Sequence, residues 1–262
     1  MANESYTLYY NTWSICSQMV RLAFAFRGQP KSGESGMIIE EKEVDIYNTF
    51  TQLDEFFLTE INPKGKVPVL AHPTLLSKPM SESLDITYYI AKHYPSLLPS
   101  SHKKEITALL AGLHDLNFFA LSFGDEPVPA TAKKAAIQEK LSRPGISERY
   151  RKALEDKKET IIQSERHTPI PPSALTTEIA NAKTFLEKIA KLYNPSSSDG
   201  GWLWGRESAS VLDVHVIVFL ARLYDAGREG VIPERLVGLY IMAVGTEEWE
   251  GIFRGRRTMV GV

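Results

Sequence analysis

A proline stands inside a run that otherwise reads as a short apolar strand, Val67-Pro68-Val69-Leu70. Pro68 removes a backbone donor from any ladder there, so the segment belongs at a sheet edge or in a bend. An X-Pro bond can be cis at modest cost. A cis proline at a strand start would turn the Val67 N–H and C=O outward, free to pair with an extended peptide as an added strand would. Further on, Pro79-Met80-Ser81-Glu82-Ser83 leads into an apolar-periodic helix carrying Leu84, Ile86, Tyr89 and Ile90. Ser81 or Ser83 can cap that helix, and its first-turn N–H groups, with the positive end of the dipole, suit an anionic group. Glu82 beside them suits an ammonium. Together these residues make a receptor for an α-amino-acid end with a backbone pairing site nearby. Piece by piece, they are also an ordinary proline turn and helix cap.

The flanking chain supplies a frame. Tyr6 to Tyr10 is rich in β-formers. From Cys16 to Arg27 the apolar residues suit a helix buried on most sides, closed by Gly28 in the C-cap position. Met37 to Ile46 reads as a second strand, Phe50 to Phe57 as a helix, Val67 to Ala71 and Lys78 to Met80 as strands, and Glu82 to His93 as the closing helix. This β-α-β-α-β-β-α order resembles the thioredoxin-like fold, with a right-handed crossover between the first two parallel strands.

Pro95 to Ser101 marks a linker, which divides the chain into domains at 1–95 and 102–262. The second part reads as all-helical. Glu105 to Phe123 is apolar at helical spacing, with His114, Asn117 and Ser122 as polar exceptions, and His114 reads first as a satisfied core or groove histidine. Gly124 to Ala174 is charged and broken by Pro127, Pro129, Pro144, Pro169, Pro171 and Pro172. Within it Ser147 to Gln163 is helical, its charge run Arg149 to Lys158 suiting a solvated face. Thr176 to Tyr193 is another helix, and Gly200 to Trp204 a short turn or strand. Ser210-Val211-Leu212-Asp213 has capping-box spacing ahead of the apolar helix Val214 to Leu223, which makes Ser210 and Asp213 folding residues. His215, Arg222 and Asp225 suit a local network, and Trp249 to Arg257 a surface-covering final helix.

Composition excludes several functions. With 30 basic against 32 acidic residues there is no electrostatic footprint for nucleic acid or anionic lipid. One cysteine forbids an intramolecular disulfide, no apolar run approaches the roughly 20 residues of a membrane span, and Met1 to Tyr6 lacks a signal-peptide pattern. A soluble, cytoplasmic protein is expected.

Asn62 to Leu70 together with Ser81 to Asp85, after a strand-helix-strand pattern, resembles the glutathione site of the cytosolic glutathione transferases. The resemblance implies an α+β thioredoxin-like N-terminal domain plus an all-α C-terminal domain, glutathione as cosubstrate, a hydrophobic electrophilic or conjugated second substrate, and a homodimer. It assigns Val67 and Pro68 to the cysteinyl part of glutathione, Glu82 and Ser83 to the γ-glutamyl end, and Lys66 to the glycine carboxylate. The family places its sulfur-activating residue in the first loop. Ser14, Cys16 and Ser17 match the Ser-x-Cys-Ser pattern of zeta-type members, some of which are cis-trans isomerases, although Ile15 stands where those carry a second serine. Cys16 also falls near the cysteine of beta-type bacterial members. A thiol of ordinary pKa about 8.5 gains thiolate from a donated hydroxyl and from the helix dipole. Ser14 leads the candidates for that hydroxyl, with Tyr10, Asn11 and Ser17 behind it; Cys16 reads as a small helix-start residue or as a nucleophilic thiol. Trp13, Asn117, Phe118 and Leu121 are the implied walls of the substrate pocket. The chain also looks like transferase-type enzymes of fungal natural-product pathways. A non-enzymatic scaffold that binds glutathione or hydrophobic ligands is the alternative.

Overall fold

The computed structural model describes residues 4–124, 130–163, 171–194 and 201–260; Met1, Pro127, Pro129, Pro169 and Gly200, read above, lie outside them. β1 (Tyr6–Tyr10) is the central strand of a three-stranded sheet. On one side β2 (Ile39–Glu43) runs parallel to it with Tyr6 opposite Ile39; on the other β3 (Val69–Ala71) runs antiparallel with Leu8 opposite Leu70. The last four residues of β2 are charged and exposed, which guards a sheet edge against further pairing. Pro68 lies just before β3, so its missing N–H costs the ladder nothing, and the Val67–Pro68 peptide is cis.

α1 (Ile15–Ala25) buries Ile15, Met19, Val20, Leu22 and Ala23. Its cap is Phe26, not Gly28. Gly28, two residues later at φ +67°, turns the chain beneath Ser96, whose Oγ would lie 2.9 Å from an added Cβ. α2 (Ser83–His93) closes this part.

Three local expectations are corrected. The second strand is shorter than Met37 to Ile46, because the Asp45 carboxylate takes the N–H groups of Tyr47, Asn48 and Thr49 and folds the chain into a turn. No α-helix spans Phe50 to Phe57: Phe50 is left-handed at φ +54° and Asp54 is extended, leaving a 3-10 turn (Thr51–Leu53) and a π turn (Phe57–Ile61). The fourth strand shrinks to a single bridge between Leu70 and Met80.

The helical part comprises α3 (Lys103–His114), α4 (Phe118–Phe123), α5 (Ala130–Leu141), α6 (Glu148–Gln163), α7 (Pro172–Ala190), α8 (Val211–Asp225), α9 (Glu234–Val244) and α10 (Glu247–Phe253). Glu105 to Phe123 is therefore two helices. Asn117 breaks it, its side chain accepting the Ala120 N–H at 3.1 Å. α8 starts from the expected capping box and is buried along nearly its whole length; Asp213 also accepts the Leu203 N–H at 2.8 Å.

One apolar core runs without a break from Tyr6 and Leu8 through α1 and α2 into α3, α7 and α8. A second, smaller cluster joins Phe50, Leu53 and Leu58 to Ile137, Tyr150 and Leu154, docking α5 and α6 on the 3-10 and π turns. There Lys140 reaches Asp54 at 2.6 Å and the Tyr150 hydroxyl donates to Leu53 O at 2.7 Å. The charge run on α6 is solvated except at Lys157, which is buried and donates to the Lys64 carbonyl. Among the described residues no helix is long and apolar enough to cross a membrane.

Candidate active site

Three local signals converge on one cleft of about 590 Å³. The first is the loop into α1. Asn11 Oδ1 accepts the Trp13 N–H and Ser14 Oγ accepts the Ser17 N–H at 3.3 Å, which fixes Trp13, Ser14 and half-buried Cys16 on the cleft wall. The second is the start of α2, where Glu82 is the N-cap residue and makes no side-chain cap bond. Neither Ser81 nor Ser83 caps the helix, contrary to expectation. The Ser83, Leu84 and Asp85 N–H groups have no partner among the described residues, and they open on the cleft that Glu82 and Ser83 line. The third is the α3–α4 corner, which contributes His114, Asn117, Phe118 and Phe119.

The expected site residues divide. Ser14, Cys16, Trp13, Glu82, Ser83, Asn117 and Phe118 line the cleft. Ser17 is fully buried and accepts the Asn11 N–H; Tyr10 lies elsewhere, with the Arg21 guanidinium 4.2 Å over its ring and burial raising its pKa. Leu121 points into the core, and one position on, Ser122 faces the cleft instead. The side chains of Lys66, Val67 and Pro68 do not line this cleft. Among the described residues the Val67 N–H and C=O have no partner, and the Lys66 carbonyl accepts from Asn62 Nδ2 at 2.8 Å. Glu82 is held by Lys64, Nζ to Oε1 2.6 Å, with both side chains 60 % exposed.

Sequence reasoning missed two cleft features. Tyr47 is delivered by the Asp45 turn, whose carboxylate, despite burial, is held down to about 2 by the Asn48, Thr49 and Tyr47 N–H groups; burial raises the Tyr47 pKa, so its phenol stays protonated. His114, as expected, is satisfied in the groove, but as the end of a relay: its Nε2 is 3.0 Å from His215 Nδ1, and His215 Nε2 is 3.1 Å from Thr87 Oγ1. Burial lowers the His114 pKa to about 4 and holds His215 well below its ordinary value, so the pair is neutral at neutral pH. His215 thus belongs to this relay, whereas Arg222 and Asp225 meet through Thr258.

Residues 8–100 match the family described as glutathione S-transferase, N-terminal domain. The whole chain superposes on glutathione transferases of known structure. This is a glutathione-transferase fold. A transferase homologue from Sulfitobacter with bound glutathione is 18% identical at a TM-score of 0.56, covering 95% of this chain and 96% of its own. A family member from Pseudomonas fluorescens with two glutathione molecules bound is 17% identical at 0.59, covering 95% and 92%. Glutathione transferase Omega 3C from Trametes versicolor is 15% identical at 0.57, covering 100% and 91%. No curated protein matches the chain in sequence. In this transferase fold the cleft lies where the thioredoxin-like part meets the helical part.

Proposed function

We propose that the chain is a glutathione-dependent enzyme acting on an electrophilic or conjugated small molecule. The observation that carries this reading is the meeting in one cleft of Ser14 and Cys16, at the start of α1, with Glu82 and Ser83, at the uncapped start of α2, against an aromatic wall. Glutathione held by two proteins of the same fold is consistent with it.

The residues suit the ligand. The first-turn N–H groups of α2 and Ser83 offer donors to the γ-glutamyl carboxylate, Glu82 its counter-charge to the ammonium, Val67 its unpaired backbone to the cysteinyl part, and Lys66 a charge to the glycine carboxylate. Glu82 must leave Lys64 to do so, and an exposed pair of this kind is worth only about 0–1 kcal/mol. Ser14 Oγ already accepts the Ser17 N–H, which leaves its hydroxyl proton for the sulfur, at the positive end of α1. Trp13, Phe118 and Phe119 form the apolar surface for a second substrate and exclude water from it. When bound, glutathione supplies a thiolate for addition to an electrophilic carbon, giving a conjugate or, if addition is reversible, cis-trans isomerisation with the thiol regenerated. The setting proposed is natural-product metabolism, in a cytoplasmic homodimer built from the domains 1–95 and 102–262.

The test is a mass and retention-time comparison of a conjugated enone or polyene incubated with protein, with and without glutathione. A product heavier by one glutathione identifies a transferase, and an isobaric, shifted product that still requires glutathione identifies an isomerase. No change with glutathione bound moves the protein to the ligand-binding class.

A further inference from the structure

Arg222 is the one charged side chain of α8 that reaches the cleft while being 3% exposed. A guanidinium that deep ordinarily sits against a carboxylate. This one does not. Its Nε donates to Thr258 Oγ1 at 3.1 Å, Nη1 to Ser122 Oγ at 3.0 Å, and Nη2 to the Trp13 carbonyl at 2.9 Å, to Gln18 Oε1 at 3.3 Å and to the Thr258 carbonyl. All five acceptors are neutral. The nearest acid in the network, Asp225, is one hydrogen bond removed, and its carboxylate is occupied by the Thr258 N–H and hydroxyl and by Arg257. One Nη1 proton has no partner among the described residues, on the side of the guanidinium that carries Ser122, itself a cleft residue.

We infer that Arg222 is a positioning residue for the sulfur chemistry: its charge, which no carboxylate touches directly, stabilises a thiolate in the cleft, and its grip on the Trp13 carbonyl holds the Trp13–Cys16 loop against that thiolate. The inference rests on the proposed glutathione reading and adds to it a cation drawn from the last third of the chain. Burial lowers the Arg222 pKa only to about 10, so the charge persists throughout the neutral range. Cys16 and Tyr47 lie within its field. An opposite charge at close range moves a titration by about 1–3 units when water is largely excluded.

The experiment measures two quantities separately: glutathione affinity by calorimetry, and the titration midpoint of the bound thiol from its ultraviolet thiolate absorbance. Arg222→Met is expected to raise that midpoint by about one pH unit or more, and Arg222→Lys to restore most of the difference. Arg222→Gln, which keeps amide donors toward the Trp13 and Thr258 carbonyls but carries no charge, is expected to raise the midpoint in the same direction and decides the matter if Arg222→Met does not fold. A midpoint unchanged from wild type in a folded variant that binds glutathione overturns the inference. Failure of the wild-type protein to bind glutathione overturns the functional reading itself, and calorimetry alone reveals it.

Discussion

Glu82 is where the proposed function meets a competing interaction. Its carboxylate is already engaged by Lys64, and both groups are open to solvent, so the pair is weak and salt-sensitive. Glu82→Ala is expected to abolish detectable glutathione binding while leaving the melting temperature unchanged. Lys64→Ala is expected to tighten binding severalfold, because the ammonium of the ligand no longer displaces a resident one. Calorimetry on the two variants tests both; equal affinities in Glu82→Ala and wild type would remove the γ-glutamyl assignment. Ser14 serves two tasks, as helix cap and as hydroxyl. Ser14→Ala should cost about 1 kcal/mol of stability and roughly 10²-fold in turnover, with glutathione affinity largely kept. Turnover at the wild-type rate would shift the hydrogen bond to sulfur to another group, with Tyr47 the first to try because its phenol shares the cleft.

At the scale of elements, features set by neighbours in sequence were legible and features set by distant partners were not. The Ser210–Asp213 box and the limits of β1 depend on residues a few positions apart, and they appear where expected. The resemblance puts Leu121 in the pocket wall, one residue from the side chain that reaches it, because Asn117 restarts the helix and rotates Leu121 inward and Ser122 toward the cleft. α5 went unread because its apolar residues carry almost no periodicity; it is held by a cluster whose other half comes from Phe50, Leu53 and Leu58. That cluster in turn explains why Phe50 tolerates a left-handed backbone, which costs of order 1–3 kcal/mol unless packing fixes it. Leu154→Ala should therefore remove about 2–5 kcal/mol locally. Hydrogen exchange should quicken in α5, α6 and the Thr51–Leu53 turn, while α8, in the separate larger core, stays protected. Uniform quickening, α8 included, would mean that the two clusters open as one.

On the scale of the whole molecule, the relay from Thr87 through His215 to His114 ties α2, and with it the start that carries Glu82 and Ser83, to α8 and α3. No motif announces it, since its members stand 128 and 101 positions apart. The bond between the two rings needs at least one neutral imidazole, and burial keeps both neutral: it lowers the pKa of the folded His114 to about 4 and holds His215 well below its ordinary value, against about 6.5 for an unfolded histidine. The sign follows. Below about pH 6.5 the unfolded chain takes up protons that the folded chain refuses, so this contribution is complete above that pH and is lost progressively as the pH falls toward 4. For His114 alone the loss is roughly 3 kcal/mol across that window, and His215 adds in the same direction. The depressed carboxylate of Asp45, at about 2, acts in a more acidic range and separates from it. Denaturant unfolding at pH 7 and pH 5 should show wild-type stability falling steeply. A His114→Gln, His215→Gln variant should start lower, having lost packing and hydrogen bonds, but lose less between the two pH values because it no longer carries the pair. Parallel slopes in the two proteins would mean that the pair is solvated in the folded state and does not join the two halves as a buried neutral relay.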